Sequence, residues 1–389
     1  MKLNSDLINI AITIDISKGF LSNGLQQNLI FLADCINLIS GKKCYFLYLG
    51  DLHSSNYISK YPCISYENYL KDKNLQFDLI IYGGFLPNPK DHSFDQSRCK
   101  NTKFVSLQLG NEMNHDIDSS LHRSEKKIKG FLTSKSYSFD QIWTSPHYEH
   151  SIPYLATKHH NNNVKIAPYI WNDTFIKLQF ADLEVNYDID KFKSSLDINS
   201  ISVFEPNLFY TKTCLIPLFI AENYEQKYPN KIKALNIFGA QNFVKNEYFI
   251  KLILSMDIYS KRNKFLKVHP RLPFLKAVRD YGGLIISHQI FNELNYLYLE
   301  ALYLSIPLIH NANCLKDYGY FYNEFDLYSA SDHIENILNN HKNNLSEYKF
   351  KNKELFKKYS SSSKENIEGY DNLISTLINK YTLNYLDID

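Results

Sequence analysis

Short runs of apolar residues alternate with stretches of helical periodicity along the first half of the chain. The runs that predict strands are Ile8 to Ile14, Cys44 to Leu49, Phe77 to Tyr82, Phe104 to Leu109, Gln141 to Thr144 and Val164 to Ala167. Between the first two, Gly24 to Ile39 predicts a helix, because its leucines and Ile36 recur at helical spacing. Strands that alternate with helices are typical of a parallel sheet in an α/β domain.

The alternation stops between about Trp171 and Ser200, where the chain is polar and acidic, and then restarts. The strands predicted after this interruption are Ile201 to Phe204, Ala234 to Phe238, Phe265 to Val268, Leu284 to Ser287 and Leu308 to His310. The amphipathic stretch Glu365 to Tyr381 predicts a helix that crosses back to the first domain. We therefore predict an α/β protein with two Rossmann-like domains facing a cleft, over residues 1–185 and 186–364, followed by a crossing helix and tail over 365–389.

Composition excludes few classes of protein. The chain has 389 residues and a formal net charge of +2, which gives no polyanion-binding signal at the level of the whole chain. Its six cysteines are scattered without a CxxC pair, which argues against common zinc sites and favours a reducing compartment. We find neither a signal-peptide layout nor an uninterrupted apolar run of ~18 residues, so we expect a cytoplasmic protein.

Glycines mark the turns after two predicted strands of the first half. Gly24 and Asn28 open the first helix, and Gly110 follows the fourth strand. At such turns the backbone can approach a ligand, and a helix N-terminus favours an anion, so we predict contacts with a phosphate or an acceptor. The alternative is a glycine that serves the turn alone.

The loop after Gly110 contains Glu112, His115 and Asp116. These residue types commonly serve as general bases, so we predict a catalytic role for the loop; the alternative is that its polar residues cap a helix. Asp116 and Asp118 form an acidic pair that could bind a metal ion, but we predict no metal site.

Further polar residues follow the strands of the second half. The predicted ligand contacts are Glu205, Asn242, Lys267, His269, Arg271, His288 and Asn292. Lys267, His269 and Arg271 lie on or just after one predicted strand, where their charge suits a diphosphate. For the turns that contain Glu205 and Asn242, plain loop chemistry is an equally good interpretation.

One carboxylate lies inside an apolar segment. Glu300 is surrounded in sequence by leucines, within a helix predicted over Glu293 to Leu304. Carboxylates are rarely fully buried without a partner, and in α/β folds an acidic residue at the sheet crevice binds ribose hydroxyls. We therefore predict that Glu300 contacts a ligand.

Two sets of motifs resemble glycosyltransferases of the GT-B architecture. Glu300-Ala301-Leu302-Tyr303-Leu304-Ser305-Ile306-Pro307 is similar to their donor-site signature Glu-Ala-x-x-x-Gly-x-Pro. Ser305 replaces the glycine, and the position eight before Glu300, often acidic in retaining enzymes, is Asn292. The motifs that resemble DUF2827, a GT-B family of bacteria and bacteriophages, are Gln108 to Glu112, Phe204 to Asn207, Ser287 to Gln289, Leu294 to Tyr298 and Pro307 to Ala312.

The resemblance implies a hexosyl- or pentosyltransferase that uses a nucleotide sugar, UDP- or GDP-linked, without a bound metal ion or another cofactor. The second domain would hold this donor, with Glu300 on the ribose and Arg271, together with Lys267 or His269, on the diphosphate. The first domain would meet the acceptor, with Glu112, His115 or Asp116 as base if the enzyme inverts. The resemblance leaves open whether it retains or inverts, and whether it is a monomer or a dimer.

Several acceptors and one other class of activity stay open. The acceptor is a glycan, a lipid-linked or protein acceptor, or hydroxymethylated DNA in a phage-infected cell. Duplex DNA requires a basic face, and Arg123 to Lys135 is the compact candidate, with a solvated helix as the alternative. A nucleotide-sugar epimerase or a non-catalytic binder of sugar nucleotides would use the same scaffold.

Overall fold

The computed structural model describes residues 3–17, 24–51, 58–122, 137–183, 192, 196–262 and 265–378. Contacts between Cα atoms divide the chain into two compact units. Unit 1 consists of Met1–Asn172 and Lys358–Asp389, and unit 2 consists of Asp173–Lys357.

A parallel sheet of seven described strands forms the centre of unit 1, in the order β3-β2-β1-β4-β5-β6-β7. The strands are β1 (Ile8–Asp15), β2 (Lys42–Leu49), β3 (Cys63–Ser65), β4 (Leu79–Tyr82), β5 (Lys103–Gln108), β6 (Gln141–Thr144) and β7 (Val164–Ile166). The interior strand β1 is buried along nearly its whole length, which explains why it is mostly apolar. The order reverses between β1 and β4, and such a switch point is where open α/β sheets bind ligands.

Helices connect these strands. They are α1 (Gly24–Asn37), α2 (Tyr66–Lys71), α3 (Pro89–Arg98), α4 (Glu112–His122) and α5 (Ile152–Lys158), with a 3₁₀ helix over Pro146–Ser151. The predicted first helix is confirmed and ends at Asn37, and Gly41, with a φ of 74°, lies in the turn that leads to β2.

Unit 2 repeats the architecture with six described parallel strands, in the order β10-β9-β8-β11-β12-β13. They are β8 (Ser200–Val203), β9 (Ala234–Phe238), β10 (Leu266–His269), β11 (Leu284–Ile286), β12 (Leu308–His310) and β13 (Tyr320–Phe321). Here the order reverses between β8 and β11, so the loops after these two strands flank the switch point.

The helices of unit 2 begin directly after the unit boundary. They are α6 (Thr174–Asp182), α7 (Leu215–Lys227), α8 (Glu247–Leu254), α9 (Asp257–Ser260), α10 (Phe274–Tyr281), α11 (Tyr296–Tyr303), α12 (Leu327–Asn340) and α13 (Leu345–Tyr359), with 3₁₀ helices over Phe243–Lys245 and Asn313–Leu315.

The last described helix, α14 (Lys364–Leu377), returns to unit 1 as the sequence predicts. Lys42 on β2 forms an ion pair of 2.5 Å with Asp371. The hydroxyl of Tyr370 donates to the carbonyl oxygen of Pro168 at 2.7 Å, and its ring packs on Trp143. The end of the predicted stretch, up to Tyr381, lies outside the described residues.

The unit boundaries differ in position from those drawn on the sequence. The polar stretch of the sequence predicts a boundary after residue 185, whereas the contacts divide the chain after Asn172 and again after Lys357. The reason is α6, whose Phe175 and Phe180 are buried and whose Gln179 side chain accepts the backbone N–H of Leu275 at 3.3 Å. These contacts attach α6 to unit 2.

No helix in the described ranges is long and apolar enough to cross a membrane.

Candidate functional site

Two buried polar side chains meet at the carboxyl edge of the second sheet. Glu205 follows β8 and is 1% exposed, and Ser287 follows β11. The hydroxyl of Ser287 donates to one carboxylate oxygen of Glu205, and Gln289 Nε2 donates to the other at 3.3 Å. Because β8 and β11 are neighbours in the sheet, the topology brings together residues that are far apart in sequence.

Burial raises the pKa of Glu205 to about 7. The hydroxyl of Ser287, the nearby ammonium of Lys212, the backbone N–H of His288 and the amide of Gln289 all act in the opposite direction, because they favour the ionised form. Glu205 is thus a carboxyl group that changes charge near neutral pH, at the point where the strand order reverses.

Glu300 lies on α11 and is 6% exposed. Its carboxylate has no hydrogen-bond donor among the residues that the structure describes, and burial raises its pKa to about 8. Leaving a buried carboxylate without a donor costs free energy in the ligand-free protein. The side chain is therefore available to a ligand.

The helix that carries Glu300 begins later than predicted. Asn295 caps α11 by accepting the backbone N–H of Tyr298 at 3.1 Å, so Glu293 precedes the helix. The carboxylate of Glu293 instead accepts the backbone N–H of Asn313 at 3.0 Å. The prediction that this helix begins at Glu293 was therefore wrong.

Basic side chains lie near this edge of the sheet. Arg271 follows β10, and Lys212 precedes α7. Burial lowers the pKa of the Lys212 ammonium; the carboxylate of Glu205 opposes this shift and the guanidinium of Arg271 adds to it. Lys212 therefore lies within electrostatic reach of both. In the sequence Lys212 stands only at the start of a predicted helix, so the pattern does not point to it as a ligand contact.

The other two predicted diphosphate contacts have different surroundings. Lys267 is exposed on β10. The His269 Nε2 lies 3.0 Å from Asn236 Oδ1, and its ring packs against those of Phe238 and Tyr281. Burial and the charge of Lys267 both lower the pKa of His269, so this imidazole is neutral near pH 7. It suits hydrogen bonding better than charge neutralisation.

His288 and Asn292 are buried beside Glu205. His288 Nδ1 lies 2.8 Å from the hydroxyl of Tyr322, and burial lowers the His288 pKa to about 4. Asn292 Nδ2 donates to Gln289 Oε1 at 2.7 Å. The structure thus brings both predicted residues into the group of side chains around Glu205.

Asn242 is exposed in the turn after β9. It precedes the 3₁₀ helix of Phe243–Lys245 and makes no side-chain cap. The turn itself depends on Gly239, which has a φ of 80°. Its backbone N–H donates to the carbonyl oxygen of His269 at 3.0 Å, so the turns after β9 and β10 are joined.

Ser305, which stands where the resembling signature has glycine, has a φ of 54°. Its buried hydroxyl has no hydrogen-bond partner in the described part of the chain. We expect Ser305→Gly to raise the free energy of unfolding by about 1 kcal/mol relative to Ser305→Ala, because only glycine relieves the left-handed backbone. Urea denaturation of the two variants measures this, and a glycine variant no more stable than the alanine variant would contradict it.

The predicted glycine positions of unit 1 differ in their surroundings. Gly24 is the first residue of α1, and Asn28 is buried in its first two turns. At Gly110 no heavy atom of the described chain lies within 4 Å of where a Cβ would stand. By contrast, a Cβ on Gly84 would lie 2.6 Å from the carbonyl oxygen of Thr13. Packing therefore requires glycine at position 84 but leaves room at position 110.

Glu112 and Asp116 point toward α5. Lys158 forms ion pairs with both carboxylates, at 2.7 Å to Glu112 and at a shorter distance to Asp116. His159 Nε2 lies 2.8 Å from Glu112. The hydroxyl of Tyr154 donates to Asp116 at 2.5 Å. The two carboxylates thus join α4 to α5.

The third predicted base is placed differently. The Nδ1 atom of His115 lies 3.5 Å from the hydroxyl of Ser119 and 3.9 Å from Asp116, and its side chain is partly exposed. A base role for Glu112, His115 or Asp116 stays a prediction.

A substitution separates the structural from the catalytic interpretation of Glu112. Its ion pairs with His159 and Lys158 outweigh burial and lower its pKa, so the stability that they add is present at neutral pH and is lost as pH falls through the folded pKa. We expect Glu112→Gln to lower the free energy of unfolding at pH 7 by about 1–2 kcal/mol, with a smaller difference in acid. Urea denaturation at both pH values measures this.

The matched control for that experiment is Glu67→Gln, at an exposed carboxylate paired with Lys71, where we expect unchanged stability. Turnover lost in Glu112→Gln at full stability would instead support the predicted base.

Two further features of the sequence are the basic segment that could bind DNA and the acidic pair that could bind a metal ion. The basic segment Arg123 to Lys135 lies outside the described residues. Among those described, no three or more His, Cys, Asp and Glu side chains are grouped to hold a metal ion.

We also compared the chain with protein families and with known proteins. A family model described as "Protein of unknown function (DUF2827)" matches residues 9–374. No curated protein matches the chain.

Three solved structures are similar over nearly the whole chain. A glycosyltransferase from Rickettsia africae ESF-5 has 10% identity and a TM-score of 0.54, covering 97% of this chain and 100% of its own. HepE from Anabaena, in complex with UDP and glucose, has 11% identity and a TM-score of 0.56, covering 95% and 100%. The N-terminal domain of Candida albicans trehalose-6-phosphate phosphatase has 13% identity and a TM-score of 0.58, covering 97% and 98%. At such identities the likeness concerns the fold, and the predicted α/β, GT-B fold class is confirmed.

Proposed function

Since the chain belongs to the DUF2827 family, we propose that it is a glycosyltransferase that moves a sugar from a nucleotide-sugar donor to an acceptor. The fold alone does not carry this proposal, because one fold hosts many functions. It rests on the side chains at the carboxyl edge of the second sheet.

The observation that carries the proposal is the state of Glu300. Its carboxylate is 6% exposed and has no donor among the described residues, at the position where the resembling families contact the donor ribose. Two ribose hydroxyls supply the donors that the ligand-free protein lacks. A hydrogen bond to a charged group contributes about 1.5–3 kcal/mol, which is sufficient to ionise and hold this side chain.

The cations beside Glu205 complete the donor site. Lys212 and Arg271 place two positive charges near each other, and Lys267 adds a third on the same strand as His269. A diphosphate requires such charge neutralisation, and arginine binds phosphate oxygens through two parallel hydrogen bonds. We therefore propose donor binding through protein cations, without a metal ion.

The other predicted contact residues bind different parts of the donor or the acceptor in this proposal. Asn292 and His288, which are buried beside Glu205, contact the sugar or the nucleotide, and exposed Asn242 contacts a phosphate or sugar from the turn after β9. The acceptor contacts the loops after β1 and β5 through Gly24, Asn28 and Gly110.

Two of the similar structures agree with this choice of chemistry. One is a glycosyltransferase by its own description, and HepE was solved with UDP and glucose. These statements concern those proteins, and they favour a UDP-linked donor as the first one to test.

The test is incubation of the purified protein with a panel of UDP- and GDP-linked sugars, with release of free nucleotide as the readout. We expect slow hydrolysis of one donor in the absence of acceptor, since water competes for the sugar. Glu300→Ala is the matched variant and should lower the rate of release about tenfold or more. Conversion of a donor to its epimer without nucleotide release would overturn the transferase proposal.

A further inference from the structure

The imidazole of His288 is buried at the carboxyl edge of the second sheet, directly after Ser287. Its side chain is 3% exposed, and its backbone N–H donates to the carboxylate of Glu205. One ring nitrogen, Nδ1, lies 2.8 Å from the hydroxyl of Tyr322. The other, Nε2, is shielded from solvent and has no hydrogen-bond partner within the described residues. A buried polar atom in this state costs free energy in the ligand-free protein.

The surroundings of Tyr322 decide which nitrogen of His288 carries the hydrogen. The Tyr322 hydroxyl has one hydrogen and two neighbours, Nδ1 of His288 at 2.8 Å and the carbonyl oxygen of Ser287 at 3.4 Å. A carbonyl oxygen only accepts, so both contacts are hydrogen bonds only if Tyr322 donates to Ser287 and the Nδ1–H of His288 donates to Tyr322. Burial also lowers the pKa of His288 to about 4, so the ring is neutral at pH 7. Nε2 then carries a lone pair and no hydrogen.

This lone pair selects the chemistry of its partner. Nε2 in this tautomer accepts a hydrogen bond and has none to donate, and the oxygens of an ionised diphosphate also only accept. The partner is therefore an uncharged O–H or N–H group. A nucleotide sugar carries such groups on its sugar, its ribose and its base.

The position of His288 in the fold brings this nitrogen to a ligand. His288 follows β11, at the point where the strand order reverses, and open α/β sheets bind ligands there. The ring of Phe325 packs against the imidazole with the two centroids 4.8 Å apart, and it is 57% exposed, in the turn before α12. Exposed side chains change rotamer within nanoseconds, so Phe325 can turn away from the imidazole without loss of core packing.

We propose that His288 is a donor-binding residue whose Nε2 accepts a hydrogen bond from an O–H or N–H group of the sugar or the nucleoside. This inference rests on the proposed function, and it names the chemistry that the site requires of its ligand at this position. A ligand that supplies no hydrogen here leaves the buried lone pair unpaired, so it binds more weakly than one that does. His288 thus contributes to specificity.

The first experiment follows the ring nitrogens by NMR at pH 7, in protein labelled with ¹⁵N at histidine. Two-bond ¹H–¹⁵N correlations distinguish a protonated ring nitrogen from one that carries a lone pair. In the ligand-free protein we expect Nε2 of His288 to be unprotonated, and its signal to shift when a ligand donates to it. The signal is assigned from its loss in His288→Asn or in His288→Phe.

The matched control is His310, in the same protein. It is also buried, and burial lowers its pKa to about 4, but both of its ring nitrogens have partners. Its Nε2 donates to the carbonyl oxygen of Tyr318 at 2.8 Å, and its Nδ1 accepts the backbone N–H of Ala312 at 3.1 Å. We therefore expect His310 to have the opposite tautomer and to keep its signals when a ligand binds.

The probes are uridine, UDP and UDP-glucose, with guanosine, GDP and GDP-mannose as a second set. A shift with a nucleoside or its diphosphate assigns the donated hydrogen to the base or the ribose, and a shift only with the nucleotide sugar assigns it to a sugar hydroxyl. Nε2 of His288 protonated in the ligand-free protein, unchanged by a probe that binds, or shifted no more than His310, would overturn this inference alone. If no probe binds, the proposed function fails and this inference with it.

A substitution measures what the hydrogen bond contributes. The amide nitrogen of asparagine stands where Nδ1 stands in histidine, so His288→Asn keeps a donor for Tyr322 and removes Nε2. We expect it to weaken binding of the probe that shifts the signal about 3- to 10-fold, the net effect of one hydrogen bond between neutral groups. Isothermal titration measures this, and the melting temperature checks the fold.

His160→Asn is the control for the substitution, because this exposed histidine of unit 1 has a φ of 47°, which asparagine tolerates. It should bind as the wild type does. Equal affinity of His288→Asn and the wild type would also overturn the role of Nε2. If His288→Asn does not fold, the NMR titration, assigned through His288→Phe, still decides.

Discussion

Replacement of Glu300 by glutamine is expected to make the ligand-free protein more stable while it weakens donor binding about tenfold or more. The carboxylate is buried without a donor among the described residues, so the native state holds it at a cost that a neutral amide of the same shape does not carry. A residue whose replacement stabilises the fold and weakens binding serves the ligand rather than the fold.

The gain in stability of Glu300→Gln over the wild type should grow as pH rises. Burial raises the Glu300 pKa from its ordinary value of 4.5 to about 8, so the unfolded chain loses this proton first. The contribution of Glu300 to stability is then full below about pH 4.5 and declines as pH rises toward 8. We expect Glu300→Gln to match the wild type in acid and to exceed it most above about pH 8, by a few kcal/mol.

Urea denaturation at about pH 5 and about pH 9, with calorimetric titration of donor, measures both effects. Glu347→Gln on α13 is the control, because that carboxylate is exposed, and both quantities should stay unchanged. A Glu300→Gln protein that binds donor normally, or that is less stable than the wild type at high pH, would remove Glu300 from the site. Wild-type affinity should also increase from about pH 6 to about pH 8, because the donor binds the ionised carboxylate.

Replacement of Lys212 by glutamine is expected to lower affinity for UDP and for UDP-linked sugars about 10- to 100-fold, with affinity for uridine unchanged. The ammonium lies within electrostatic reach of Glu205 and Arg271, and burial already lowers its pKa. The negative charge of a diphosphate neutralises the partly buried ammonium of Lys212, whereas uridine carries no charge and gains nothing from it.

Isothermal titration of uridine, UDP and the UDP-sugar measures this difference, and the melting temperature checks that the variant is folded. The control is Lys227→Gln at the end of α7, where the lysine pairs with Asp332 at the surface and no change is expected. Equal losses for uridine and UDP would show that Lys212 supports the site only indirectly. Unchanged affinity for all three would exclude it from the diphosphate site.

Much of the fold was predictable, because its signals are local. The runs at Ile8 to Ile14 and Ala234 to Phe238 consist of residues that favour strands buried on both faces, and each predicted strand of both sheets appears in the structure. The isolated burial of Glu300 was also predictable, since an acidic residue inside an apolar helical segment stands out without reference to any partner; its contact with a ligand stays a prediction. Helix ends were less predictable, because the cap at Asn295 depends on backbone conformation rather than on periodicity.

The pairings within the site were not predictable in this way. Glu112 and Asp116 have the residue types of a base, but Lys158 lies more than forty positions along the chain, and only the packing of α4 on α5 shows that it binds both. The electrostatic interactions of Lys212 with Glu205 and Arg271 likewise depend on the folded structure, and periodicity does not report them.

The sequence alone determined the class of fold, the position of its parallel strands and one isolated carboxylate, because strand burial and helical spacing are properties of neighbouring residues. Only the tertiary structure decided which polar groups share a site and with what charge. Ser287 donates its hydrogen bond to Glu205 because β8 and β11 are adjacent in the sheet, although the two residues are far apart in sequence. Burial at that junction, which depends on the packed sheet and helices together, is what brings the pKa of Glu205 to about 7.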